Sequence, residues 1–93
     1  MRVKLPEPPK VCIVTQSETG LHKHHVYRGP YRAAAEKWRC YIYLSPSWHV
    51  GTRYCIHNDQ KWQDSLKREY QLRLMAVGWT KEEFTETFGR NYL

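Results

Sequence analysis

The hydrophobic pattern of this 93-residue chain changes period near residue 58, and that change constrains the fold more than any other feature. Beyond that point, apolar residues recur every three or four positions, which is the spacing of one face of an α-helix. Asn58 or Asp59 can cap the start of such a helix, and Gly78 can provide its left-handed end. We therefore expect one long helix whose buried stripe consists of Trp62, Leu66, Tyr70, Leu74 and Val77, widened by Leu72 and Met75.

A second, short helix is predicted immediately afterwards. Thr80 and Glu83 have the spacing of a capping box, in which each side chain binds the other residue's backbone N–H. Trp79 and Phe84 occupy the positions of a hydrophobic staple around it. This helix should span residues 81–88 and end at Gly89, where a left-handed conformation is easily adopted.

Before residue 58 the pattern alternates, as it does in a half-buried strand. The segment "KWRCYIYL", residues 37–44, is the clearest case, and residues 52–57 are expected to pair with it. Residues 11–15 and 25–28 predict two shorter strands, whereas the alanine-rich residues 31–37 predict a loop or one helical turn. One side of residues 37–44 carries Trp38, Cys40, Ile42 and Leu44, and the other carries Lys37, Arg39, Tyr41 and Tyr43.

These elements predict an α+β fold. A three- to four-stranded antiparallel sheet would pack on one long C-terminal helix plus a short terminal helix, with its other face open. Residues 1–10 contain three of the five prolines and are expected to form an extended lead-in. Residues 11–93 would form a single domain, as the chain length suggests.

The positive charge is concentrated in the first part of the chain. Residues 1–57 contain nine Lys or Arg and three Glu, so they carry the whole net charge of +6. Basic side chains beside aromatic rings are typical of nucleic-acid binding, because cations neutralise phosphates and rings stack on bases. An acidic protein surface would suit the same charge, and Tyr41 and Tyr43 could instead be packing partners across strands. The predicted binding residues are Arg28, Arg32, Lys37, Arg39, Tyr41, Tyr43 and Arg53.

Metal binding and catalysis are not favoured by the linear spacing. The chain has five His and three Cys, but no C-x-x-C and no H-x-x-x-H on a helix. Cys55 and His57 could face one ion from a shared strand face. The segment "HKHH" at residues 22–25 is more simply interpreted as an exposed polar turn. No phosphate loop or nucleophile motif appears. We therefore predict no cofactor, no metal and no enzymatic activity.

The expected location and partners depend on two features that the sequence does not show, a membrane-spanning segment and a secretory signal. No apolar run reaches the roughly 18 residues of a membrane span, so no membrane partner is expected. The N-terminal residues do not resemble a secretory signal, and an odd number of cysteines suits reduced thiols. A cytoplasmic location is predicted, and the oligomeric state is left open.

Two resemblances add to this interpretation. "YRG" at 27–29, "KWRCYI" at 37–42 and "GTRYCIHNDQKWQDSLKREY" at 51–70 are similar to the plant ethylene-response-factor type of DNA-binding domain and its phage relatives. That resemblance covers residues 27–70 and implies a DNA-reading sheet that uses Arg28, Arg32, Lys37, Arg39 and Arg53.

The whole chain also resembles the small early-region proteins of short-tailed lytic coliphages. The likeness lies in its size, its basic bias and its ending "GWTKEEFTETFGRNYL". It implies a host-takeover role in the host cytoplasm, in which the protein binds and blocks a host nucleic-acid-processing or defence enzyme.

Overall fold

The computed structural model describes residues 1–93 and has an α+β fold. Two strands pair in an antiparallel sheet, with His22 opposite Leu44 and His25 opposite Tyr41. Single helical turns at Gly29–Tyr31, Ser47–Gly51 and Ile56–Asn58 occupy the connections. The strands and α-helices are, in chain order, β1 (His22–His25), α1 (Arg32–Trp38), β2 (Tyr41–Leu44), α2 (Gln60–Ala76) and α3 (Lys81–Phe88).

The sheet is smaller than the sequence predicted, since only two of the expected three or four strands form. Residues 11–15 form turns, and only one bond, from Ile13 N–H to the Tyr43 carbonyl at 3.2 Å, joins them to β2. Residues 52–57 bend because the Thr52 hydroxyl donates to the Ser47 carbonyl and accepts from the Tyr54 N–H. Such local side-chain bonds compete with strand pairing. The first strand is also displaced toward the N-terminus from the predicted residues 25–28.

The segment predicted as the best strand is only half extended. Its first residues belong to α1, because the alanines at 33–35 favour helix and carry it on to Trp38. Arg39 then adopts a left-handed conformation, with φ 63°, which ends the helix. Lys37 and Arg39 consequently do not share a sheet face with Tyr41 and Tyr43. The prediction of one open strand face carrying all four side chains is wrong.

The two C-terminal helices begin and end at local signals. The Asp59 side chain accepts the Trp62 N–H at 2.9 Å at the start of α2. Thr80 and Glu83 form both bonds of the capping box at the start of α3, and Gly89, with φ 85°, ends it. On α2, Leu66, Tyr70 and Leu74 are buried, together with Gln71, while Leu72 and Val77 are exposed and do not extend the stripe.

The core lies between the sheet and the two C-terminal helices. Its centre is aromatic: the Tyr27 ring lies 4.3 Å from Phe88 and 5.5 Å from Phe84, between centroids. The N-terminal lead-in packs against this body, because Leu5 is buried and the Trp79 indole N–H donates to the Val3 carbonyl. None of the helices combines the length and the apolarity that crossing a lipid bilayer would require.

Candidate functional site

An open pocket beside β1 gathers basic and imidazole side chains from separate parts of the chain. Its volume is about 370 Å³, and neither an acidic nor an apolar residue lines it. β1, the connection to α1, the Ser47–Gly51 turn and the Ile56–Asn58 turn each contribute. The lining residues are Lys23, His24, His25, Arg28, Gly29, Arg32, His49 and His57. We call it the histidine–arginine pocket.

The local fold explains how two arginines come to share this pocket. Gly29 has φ 62°, a left-handed conformation that costs little for glycine, and it turns the chain sharply after β1. Pro30 then begins the single turn that leads into α1. Arg28 precedes this turn and Arg32 follows it, so both side chains reach the same concavity while remaining exposed.

Four of the five histidines form a continuous cluster in and beside this pocket. The Nδ1 atoms of His22 and His49 lie 3.0 Å apart, and the Nε2 atoms of His49 and His57 lie 2.9 Å apart. The buried His24 ring, 3% exposed, stands edge-on to the rings of His49 and His57 at 5.4 and 5.2 Å between centroids. Each candidate ligand nitrogen of His24, His49 and His57 lies within 4.8 Å of the other two.

Burial keeps the imidazoles of His24, His49 and His57 neutral. Burial, helped by the neighbouring histidines, lowers the pKa of His24 to about 3. Burial also lowers the pKa of His49 to about 4 and moves the pKa of His57 below its usual value. Neutral rings offer one lone pair each at pH 7, so the positive charge of the pocket comes from Lys and Arg.

Only one acidic side chain approaches the edge of the pocket. Glu36 binds the Lys23 ammonium at 3.1 and 3.2 Å and lies 3.6 Å from Nε2 of His25. The hydrogen bond from Lys23 lowers the pKa of Glu36, which is therefore ionised at pH 7. Arg28 and Arg32 form no ion pair, so their guanidinium charges are not neutralised by a carboxylate of this chain.

The structure brings together only two of the seven binding residues predicted from the sequence. Arg28 and Arg32 line the histidine–arginine pocket, and none of the other five lines it, although the buried Tyr41 ring lies beneath Lys23 at 4.2 Å. Tyr41 is 3% exposed, and this burial overturns the prediction of an exposed ring. The remaining positions are as follows: Lys37 lies over the Trp38 ring, Arg39 donates to the Leu5 carbonyl, Tyr43 is half-buried against Tyr41, and Arg53 lies over Tyr54.

Sequence reasoning did not identify Lys23, His24, His25 or His49 as site residues, and it considered His57 only as a possible ion ligand together with Cys55. One signal for part of the cluster was available, because His22 and His24 are two residues apart and lie on one side of a strand. No linear spacing connects them with His49 and His57, which lie more than 20 residues further along the chain.

A second basic concavity lies at the start of α2 and the C-terminal end of the chain. Its volume is about 650 Å³, and it contains Lys61, Lys67, Arg68 and Arg90 with a single acidic residue, Asp64. Lys67 and Arg90 flank the Tyr92 ring at 5.8 and 4.8 Å from its centroid. The Tyr27 hydroxyl donates to the Lys67 carbonyl at 2.6 Å, and this bond joins the second concavity to the chain next to Arg28.

Comparison of the chain with protein-family models, with curated proteins and with solved structures found no match. The resemblances to ethylene-response-factor type domains and to coliphage early-region proteins therefore stay predictions.

Proposed function

We propose that the protein binds the phosphate backbone of nucleic acid, and that Arg28 and Arg32 of the histidine–arginine pocket make the principal contacts. The observation that carries this proposal is the pair of exposed, unpaired guanidinium groups in a concavity with no acidic lining residue. A guanidinium can donate two parallel hydrogen bonds to a phosphate, and this geometry suits a planar donor better than a lysine. The site proposed here replaces the strand face that the sequence predicted.

The second basic concavity supports nucleic acid rather than an isolated anion. A nucleic-acid strand presents phosphates at regular intervals, so it can occupy two basic sites along one surface. The two concavities have no lining residue in common, so each offers separate cations to such a strand. Tyr92, between Lys67 and Arg90, adds a ring on which a base can stack.

The direct test is a binding titration of labelled duplex and single strand at several salt concentrations. For duplex DNA, the slope of log K against log salt is about −0.9 for each phosphate neutralised. An Arg28→Ala/Arg32→Ala double variant should therefore flatten that slope by about 1.8 and weaken binding at every sequence tested alike.

A matched control distinguishes the effect of losing the pocket arginines from the effect of lowering the net charge. Lys37→Ala/Arg53→Ala removes the same charge from two exposed residues outside the pocket. This control should leave the slope nearly unchanged. Equal losses in the two double variants would show that binding depends on net charge alone, and absence of binding at low salt would refute the proposal.

An acidic host-protein surface is the alternative outcome. A nuclease-treated pull-down from a bacterial lysate that retains one stoichiometric protein, together with no nucleic-acid binding, would support a host-directed inhibitor instead. The Arg28→Ala/Arg32→Ala variant would then show whether the same pocket contacts that protein.

A further inference from the structure

The histidine cluster has a geometry that nucleic-acid binding does not require. Three imidazoles from three separate segments point ring nitrogens into a space where each lies within 4.8 Å of the other two. Zn–N bonds of about 2.0–2.1 Å place two ligand nitrogens about 3.4 Å apart in a tetrahedral site. The His49 and His57 nitrogens, 2.9 Å apart, would separate slightly, while the widest pair would close by about 1.4 Å at most.

A fourth histidine supports one of the three rings from behind. Nδ1 of His22 lies 3.0 Å from Nδ1 of His49, while Nε2 of His49 faces His57. If Nδ1 of His49 donates its proton to His22, its Nε2 carries a free lone pair. A histidine that binds a metal ion commonly donates its other ring N–H to an outer partner, which sets the tautomer and the ring orientation.

We propose that His24, His49 and His57 form a binding site for a divalent transition metal ion of the zinc class. Imidazole nitrogens suit zinc, copper and nickel, whereas magnesium and calcium require oxygen ligands that this set does not contain. Three protein ligands leave the fourth tetrahedral position for water or an anion. His24 is buried and the other two rings are half-buried, and all three line an open pocket that solvent ions can reach.

This proposal does not depend on the nucleic-acid proposal, because its ligands are the three imidazoles and not the arginines that line the same pocket. The simpler alternative is a chain of histidines held together only by hydrogen bonds. The two arrangements differ in one measurable respect, since only the first takes up a metal ion with a defined coordination geometry.

The test is a titration of the tag-free protein with Co²⁺, followed by displacement with Zn²⁺ and calorimetry with Zn²⁺ alone. Binding of one Co²⁺ per chain, with the intense visible absorption of a tetrahedral site that Zn²⁺ abolishes, is the expected result. His49→Ala and His57→Ala should each weaken Zn²⁺ binding by more than the roughly 100-fold that marks the upper end for loss of an outer partner. His22→Ala should cost about 10- to 100-fold, because it removes that partner only.

His25→Ala is the matched control, since His25 lies next to His24 on β1 but belongs to neither His–His contact. Its Nε2 atom makes no hydrogen bond and lies 3.6 Å from Glu36, so its removal breaks no hydrogen bond and no contact with the three proposed ligands. Zn²⁺ affinity equal to that of the unchanged protein is expected for this variant. Near-UV circular dichroism verifies that each variant is folded. Failure of the unchanged protein to bind Co²⁺ or Zn²⁺, or equal losses in His25→Ala and His49→Ala, would overturn the proposal.

Discussion

Replacing Glu36 by glutamine should strengthen nucleic-acid binding, although it changes no residue that lines the histidine–arginine pocket. Glu36 is the only carboxylate that binds a cation of the pocket, and it holds Lys23 at 3.1 and 3.2 Å. Since Glu36 is ionised at pH 7, Glu36→Gln removes a full negative charge and frees the Lys23 ammonium for a phosphate. The expected effect is therefore one additional phosphate contact.

The size of the effect follows from counterion release. One more neutralised phosphate steepens the slope of log K against log salt by about 0.9 on duplex DNA. With 1 M salt as the reference, this slope makes binding roughly 8-fold tighter at 0.1 M salt. The loss of stability should be small, about 0–1 kcal/mol, because both partners of the Lys23–Glu36 pair are substantially exposed to solvent.

Fluorescence anisotropy with a labelled duplex, measured from low to high salt, gives the slope and the affinity together. Glu69→Gln is the matched control, since it removes the same charge from an exposed ion pair with Arg73 on α2. Glu69 lies in a different groove, beside Pro8 and Tyr43. A Glu36→Gln protein with unchanged slope, or equal changes in both variants, would refute the argument that Lys23 is held back by Glu36.

Three further predictions concern the fold that supports the pocket. Phe88→Ala should lower the free energy of unfolding by about 3–5 kcal/mol, because the ring is fully buried against Tyr27. Gly89→Ala should cost more than about 1 kcal/mol, since φ is 85° and the added methyl group would collide with the Tyr31 hydroxyl. Thr80→Ala should cost about 1 kcal/mol, because it removes the hydroxyl that accepts the Glu83 N–H in the capping box. Urea denaturation monitored by tryptophan fluorescence measures all three, provided that the m-value is unchanged.

The control for this series is Leu72→Ala on the exposed side of α2, where the side chain is 49% exposed. It should change the free energy of unfolding by no more than about 0.5 kcal/mol. A Phe88→Ala protein as stable as this control would contradict the described aromatic core. Unchanged stability in Gly89→Ala or Thr80→Ala would contradict the helix ends described for α3.

The sequence by itself determined the two C-terminal helices, because their signals act over three or four residues. The Asp59 cap, the Thr80–Glu83 capping box and the stop at Gly89 are local interactions, and each is present in the structure. Of the predicted stripe, Leu66, Tyr70 and Leu74 are buried, whereas Val77 is exposed. The α+β class followed from the same change of period near residue 58. Arg28 and Arg32 line one pocket because a single tight turn separates them, which is again a local feature.

Only the tertiary structure decided the sheet and the pocket. Alternation in residues 37–44 could not show that the preceding alanines would extend α1 through Trp38 and divide the segment at Arg39. Strand formation depends on a partner elsewhere in the chain, so local pattern is weaker evidence for strands than for capped helices. The histidine cluster likewise depends entirely on contacts between segments that are distant in the chain. His24, His49 and His57 come from a strand and two separate turns, and only the packing of those segments places their ring nitrogens within 4.8 Å of one another.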